Sequence, residues 1–401
     1  MTTSPTAHLA DNPRPVATLV PRLRRFTSTI FAEMTALANS AGALNLGQGF
    51  PDEDGPVAML DVARDAIARG VNQYPPGPGT PELRAAISAA RFRDYQQEFD
   101  PASEVLVTVG ATEAIAATIL ALADVGDEVV MLEPYYDSYQ AVVAMAGAKA
   151  VAVPLTRDDA GRFALDGDRL AAAITDRTKL LLINSPHNPT GTVLTQSELT
   201  FIAELAIARG LTVVTDEVYE YLTFDSAAHI PIGTLPGMAE RTITISSAGK
   251  SFNVTGWKIG WVCGPAALIA AVRAAKQFLT FVGGAPFQPA VAYALEHESA
   301  WVKGLRNSLQ TKRNALCIGL QAAGLDVSVP GGTYFVQADI RSIGEHDGLE
   351  FCRALPARVG VVAIPTQVFY DDPAHGAHLV RFAFCKKDSV IQEAAQRLAQ
   401  L

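Results

Sequence analysis

The chain has 401 residues, 49% hydrophobic and 18% charged, with a formal net charge of −9. Such length and apolar content predict one large domain plus a smaller one, each with a real core, and exclude a disordered chain. The acidic balance excludes a broad basic surface, so neither nucleic acid nor an anionic membrane is expected as a partner, although a local cationic pocket stays open.

In chain order, "MTTSPTAHLADNPRP" has no apolar core of the kind a signal peptide needs, and residues 1–21 read as a loose tail. A helical pattern over about Arg22–Ala43 is expected to pack, within a segment 22–48, on the second domain. The longest apolar stretch, Ala141–Pro154, is broken by Gly147 and Lys149, so no transmembrane helix is expected. Between Glu104 and Gly264 short β-rich runs alternate with helical ones. The runs are Glu104–Val109, Glu128–Glu133, Ala150–Leu155, Lys179–Asn184, Leu211–Asp216, Thr242–Ser246 and Ile259–Cys263. Several are apolar on both faces, as strands covered by helices on each side must be. They predict an α/β fold with a large domain, 49–290, built on a mostly parallel seven-stranded sheet. A long helical segment over about Gln288–Ala323 follows. Strands at Thr333–Asp339, Gly360–Ile364 and Leu379–Cys385 and a last helix then make an α+β domain, 291–401. No repeat or low-complexity segment interrupts the chain. Four cysteines (Cys263, Cys317, Cys352, Cys385) sit singly in apolar runs, with no CxxC pair and no zinc spacing. Buried free thiols, a reducing cytoplasm and no metal are expected.

Ligands of an open parallel sheet gather beyond the carboxyl ends of its strands. Four strand ends here carry unusual residues. "GATEA", from Gly110, is either a helix N-terminus with free N–H groups for a phosphate or a plain strand–turn–helix connection. "NSPHNPTG" projects Asn184, Asn188 and Thr190 from a proline-stiffened turn, with His187 read as structural. Asp216 ends an apolar strand and needs a partner, for which a backbone amide is the simplest choice. In "SSAGKSFNVTGWKIGW", Lys250 lies among small residues with no acid beside it. A lysine so placed is easily desolvated into a nucleophilic amine. One chemistry uses such a lysine, an aspartate, a phosphate cradle and aromatic stacking together: pyridoxal 5′-phosphate (PLP) held as a Schiff base.

With those residues stand "NLGQGFPD", "NQYPPGPG", "EPYYDSY", "DEVYEYL" and "VRFAFCK". In this order the chain resembles the fold-type-I, class I/II PLP-dependent aminotransferases from about Arg22 to its end. Within them it is similar to the kynurenine/glutamine and methionine aminotransferase branch, and most of all to actinobacterial N-succinyldiaminopimelate aminotransferases of lysine biosynthesis. The resemblance implies that Lys250 carries the cofactor and shuttles the substrate proton, while Asp216 pairs with the pyridine nitrogen. It implies that Tyr219 and Asn188 bond the ring oxygen and that Tyr136 stacks on the ring. The phosphate would meet Gly110, Ala111, Thr112, Ser247 and Lys258, the last a lysine where most relatives carry arginine. Tyr74 would reach the phosphate of a neighbouring subunit, making a homodimer with shared sites. Arg381 would bind the substrate α-carboxylate, with Gly47 and Asn184 nearby.

The implied reaction is ping-pong transamination from glutamate to N-succinyl-2-amino-6-oxopimelate. Kynurenine, glutamine or methionine transamination uses the same residues, as does C–S β-elimination from a cysteine conjugate. A PLP-sensing transcription regulator is disfavoured by the charge and by the roughly twenty residues ahead of the resembling region, too few for a helix-turn-helix.

Overall fold

A computed structural model describes residues 18–26 and 30–401. The expected tail lies outside the described residues as far as residue 17. The helix expected over 22–43 is found as a 3-10 turn, Pro21–Phe26, and an α-helix, Ile30–Ala41, with 27–29 outside the described residues.

Seven strands form the main sheet: β1 (Val105–Val109), β2 (Glu128–Glu133), β3 (Lys149–Pro154), β4 (Thr178–Asn184), β5 (Thr212–Asp216), β6 (Thr242–Ser247) and β7 (Ile259–Cys263). Their order is β1-β7-β6-β5-β4-β2-β3. All neighbours are parallel except β7, which runs antiparallel to both β1 and β6. Side chains alternate across β7. Ile259, Trp261 and Cys263 pack into the core that holds Leu83, Ile87, Val291 and Leu295. Val262 faces the opposite core with Ile115, Ile119, Ile269 and Val272. Helices cover both faces, which is why these strands are apolar throughout.

The topology sets the site. Pairing aligns Asn184 with Asp216, Asp216 with Ile245, and Ser247 with Gly260. The reversed β7 begins at that same edge, opposite Val109, so Lys258 just before it also arrives there. The helix between β4 and β5, Gln196–Arg209, starts on a Thr195/Glu198 capping box and stops at Gly210 (φ 64°).

A second, antiparallel sheet contains β8 (Asp326–Ser328), β9 (Phe335–Asp339), β10 (Ile364–Pro365) and β11 (Leu379–Ala383) in the order β8-β9-β11-β10. Its core takes in Met34 and Ala38 of the Ile30–Ala41 helix. Two expectations need correction. The run Gly360–Ile364 is not one strand: Val361–Val362 pairs with Leu44–Asn45, while Ile364 pairs with Arg381 of β11. The helix expected over Gln288–Ala323 is two, Gln288–His297 and Ser299–Ala322, broken where Glu298 leaves helical geometry (φ −102°, ψ 23°). The first packs on helices Val57–Ala68 and Pro81–Tyr95 and the second on Asp388–Leu398, so the bend lets one segment serve two cores. Residue 290, the expected domain boundary, falls inside the first of these helices.

All four cysteines are buried and free. Among the described residues no helix is long and apolar enough to cross a membrane, and no His/Cys/Asp/Glu group could hold a metal ion.

Candidate active site

Gly110, Ala111, Thr112, Tyr136, Asn184, Asn188, Asp216, Tyr219, Ser247, Lys250 and Lys258 line one cleft of about 820 Å³, its open mouth included. Gly47 and Arg381 adjoin it. The Arg381 Nη1 donates to Asn188 Oδ1 at 3.2 Å and its Nη2 to the Gly47 carbonyl at 3.1 Å. Tyr74 does not join them: it is 83% exposed and meets the edge of Phe281, ring centres 5.6 Å apart.

At one end, Gly110 opens the helix Gly110–Leu122 with φ +72°. A Cβ there would sit 3.3 Å from both Cε and Nζ of Lys258. Glycine is thus needed for its backbone angle and for the ammonium that lies over the first turn. A helix N-terminus under a lysine is an anion cradle. The backbone behind is equally tight, since a Cβ at Gly260 would fall 2.6 Å from the Gly110 carbonyl carbon.

At the other end is Asp216. Its Oδ2 accepts from the Tyr139 hydroxyl at 2.7 Å and its Oδ1 from the Val218 amide at 3.2 Å, so the expected amide partner is present and a phenol is added. Asn184 Nδ2 donates to the Asp216 carbonyl at 2.7 Å, fixing the strand end. Burial pushes the Asp216 carboxyl up to about 6 despite those two donors. Lys250 is pushed down to about 8. Burial is the main cause; Lys258 and Arg381 act in the same direction, against Cys385 and Asp216. Its Nζ donates to Tyr334 Oη at 2.7 Å, and that hydroxyl donates to the Gly49 carbonyl at 2.6 Å.

Arg381 lies on β11 with its guanidinium carbon 4.0 Å from the Phe335 ring centre, 4.9 Å from Phe369 and 5.5 Å from Phe31. Burial lowers it to about 10. No carboxylate lies within ion-pair distance among the described residues, and Nε is buried without a partner. A cation so enclosed is set up to receive an anion. His187 is the opposite: buried, lowered to about 3, its Nδ1 2.8 Å from Thr190 Oγ1. It is neutral and holds the turn.

Sequence reasoning missed Tyr139, Tyr334, Phe335 and Phe369. Tyr139 had a signal only in standing in the same quoted motif as Tyr136. Nothing in the sequence brings position 334 to position 250.

The sequence model of the family "Aminotransferase class I and II" matches residues 41–398. The chain belongs to that family. It is a PLP-dependent aminotransferase, with small-molecule amino acid and oxo acid substrates. A Mycobacterium tuberculosis protein named "Probable N-succinyldiaminopimelate aminotransferase DapC" is 60% identical over 390 residues, 95% of this chain and 98% of that one. The solved structure of N-succinyldiaminopimelate aminotransferase from that organism superposes with a TM-score of 0.93 at 61% identity, covering 95% and 99% of the two chains. The methionine aminotransferase of Escherichia coli is 38% identical over 380 residues, 95% of this chain and 97% of that one. The residues of the aminotransferase cleft fit PLP: an anion cradle at Gly110 and Lys258, a buried carboxyl and a depressed lysine amine line the same cavity.

Proposed function

We propose that this aminotransferase carries the amino group of glutamate to N-succinyl-2-amino-6-oxopimelate, a step of lysine biosynthesis. The observation that carries the reading is 60% identity across 95% of the chain to the M. tuberculosis protein. The remaining proposals follow from the cleft.

The first turn at Gly110, Ala111 and Thr112, with Ser247 and Lys258, would hold the cofactor phosphate, and Tyr136 would pack on the ring. Asp216 would keep the ring nitrogen protonated, its carboxylate oriented by Tyr139 and the Val218 amide. Asn188 and Tyr219 would serve the ring oxygen. PLP bound there supplies an aldehyde carbon that takes up the amine and a ring that draws off the electron pair left at Cα. Lys250 is the base and then the acid for the Cα proton. An amine near 8 is part-deprotonated at neutral pH yet basic enough for that work. Arg381 takes the substrate α-carboxylate, its spare N–H groups completing a fork that Gly47 and Asn188 already align.

Tyr74 completes the site of a second copy in a homodimer. Its exposure beside Phe281 supports this. The domain boundary falls at Glu298, and free thiols favour a cytoplasmic location.

A half-reaction screen tests the substrate. Purified holoenzyme is mixed with N-succinyl-diaminopimelate, methionine or kynurenine, and loss of the cofactor's visible absorbance is timed. The succinylated amino acid should react fastest; equal or faster reaction of methionine or kynurenine overturns the lysine-pathway assignment. Borohydride reduction with peptide mapping tests the site, and a label anywhere but Lys250 overturns it.

A further inference from the structure

We propose that Tyr334 is a further catalytic residue of this site: its phenol oxygen is the acceptor that holds the Lys250 amine whenever that amine is not bonded to the cofactor. The inference rests on the role proposed above for Lys250.

Tyr334 stands just ahead of β9 in the second sheet, buried at 1% exposure, and reaches the cleft across the sheet boundary. The direction of its hydrogen bonds is decided by the backbone. A carbonyl can only accept, so the Tyr334 hydroxyl gives its proton to Gly49 O at 2.6 Å, and a lone pair is left facing Lys250 Nζ at 2.7 Å. Lysine therefore donates to Tyr334 in its charged and neutral forms alike. Asp216 does not compete, since its carboxylate is taken by Tyr139 and Val218 and is not within ion-pair distance of Nζ. Among the described residues Tyr334 makes the one hydrogen bond recorded for Nζ. The ring of Tyr219, its centre 5.6 Å away, completes the surroundings.

A neutral acceptor suits the task. A carboxylate at that distance would lock Lys250 as an ammonium, whereas no acceptor would leave each proton it collects on a buried, unpartnered cation. The phenol lies between these limits. Charged and titratable groups around the amine are Asp216 from β5, Cys385 after β11, Arg381 on β11, Lys258 before β7 and Tyr219. None of them hydrogen-bonds it. Tyr334 keeps its own proton on Gly49 throughout; the proton that moves is carried by Lys250.

Tyr334→Phe removes the acceptor and keeps the ring, which packs edge-on against Tyr219 and Phe335 with centres 5.1 and 4.8 Å apart. In full-length protein freed of cofactor, the pH dependence of Lys250 acylation by competitive labelling reports its ionisation. The midpoint should fall by roughly one unit in Y334F, about the weight of one charge-assisted hydrogen bond. In the holoenzyme, the glutamate half-reaction should slow about tenfold with KM within about twofold. An unchanged midpoint, with only the melting temperature or KM altered, would show that Tyr334 merely ties down Gly49 and would overturn the proposal. Borohydride mapping separates the two readings. A wild-type label away from Lys250 defeats the assignment of Lys250; a label on Lys250 in both proteins with the same midpoint defeats the role of Tyr334 alone.

Discussion

Two charged clusters lie back to back at the end of β5 and are built in opposite ways. Behind the sheet, Arg91 sends Nη2 to Glu217 Oε2 at 2.8 Å and Nη1 to Glu220 Oε2 at 2.6 Å. Gln97 Oε1 takes Nε at 3.0 Å and also Nη2, Ser246 donates to Glu220 at 2.6 Å, and the guanidinium lies 4.5 Å from the Tyr95 ring centre. On the cleft side Asp216 and Arg381 are buried and Lys250 is half-buried, yet among the described residues none has a counter-ion in contact, and desolvation moves each toward its neutral form. A satisfied buried charge serves the fold. One left unpaired costs stability and is retained where a ligand completes it. Glu217 and Asp216 are adjacent in sequence and belong to different clusters, so chemical type alone does not separate them.

The sharpest way to break this comparison is to remove one charge from each side. Lys250→Ala should lower turnover at least about 10⁴-fold, as loss of both the attachment point and the proton carrier requires. The same change should leave the melting temperature of the cofactor-free enzyme level or higher, because a desolvated amine is gone. Arg91→Met should do the reverse, lowering unfolding free energy by roughly 3–5 kcal/mol in denaturant titration, since two carboxylates stay buried without their cation. Adding Glu217→Gln and Glu220→Gln should restore much of that loss. If Arg91→Met is as stable as the parent, the division into paired and unpaired clusters fails.

Arg381→Ala sharpens the cleft side. Removing the fork should raise the KM for glutamate about 100-fold, on the scale of 2–5 kcal/mol for truncating one partner of a buried charge pair, with little effect on cofactor affinity. Equilibrium cofactor titration beside steady-state kinetics reads both. A comparable loss of cofactor binding would place Arg381 in the scaffold.

How much of this was legible depended on sequence distance. Asp216 and Lys250 stand in short motifs at strand ends, so local rules found them, whereas Arg381 came with the family likeness. Tyr334 meets Lys250 across 84 residues, and Arg91 meets Glu217 and Glu220 across 126 and 129. No periodicity or turn signal spans such intervals; only tertiary packing brings them together, of the second sheet on the main one for Tyr334 and of the helix Pro81–Tyr95 on the main sheet for Arg91. The break at Glu298 was hidden for a related reason. Neither glycine nor proline marks it, and the two helices separate because each has its own core to cover. Tyr74 was named only from family likeness, and within one chain it faces outward.

The smallest expected effect concerns pH and the carboxylate alone. Asp216 has a folded value of about 6 against 3.8 for an unperturbed aspartate, raised chiefly by burial. A group raised on folding lends stability that is fully present below its unfolded value and is lost as pH climbs through the folded one. In the cofactor-free enzyme that loss should occur between about pH 4 and 6, and at pH 8 the charged Asp216 should cost on the order of 3 kcal/mol. Asp216→Asn, which still accepts from Tyr139, should therefore be the more stable protein at pH 8 and indistinguishable from the parent near pH 4. Glu217→Gln should show the opposite sign at pH 8, because Arg91 and His229 hold that carboxyl below its ordinary value against the cost of burial. Opposite pH slopes, read by denaturant unfolding across that range, would set Asp216 apart from Glu217; Glu220 of the paired cluster is itself raised by burial against Arg91, so the sign separates these two neighbours only. Parallel slopes would mean that Arg91 does not hold Glu217 charged against its burial.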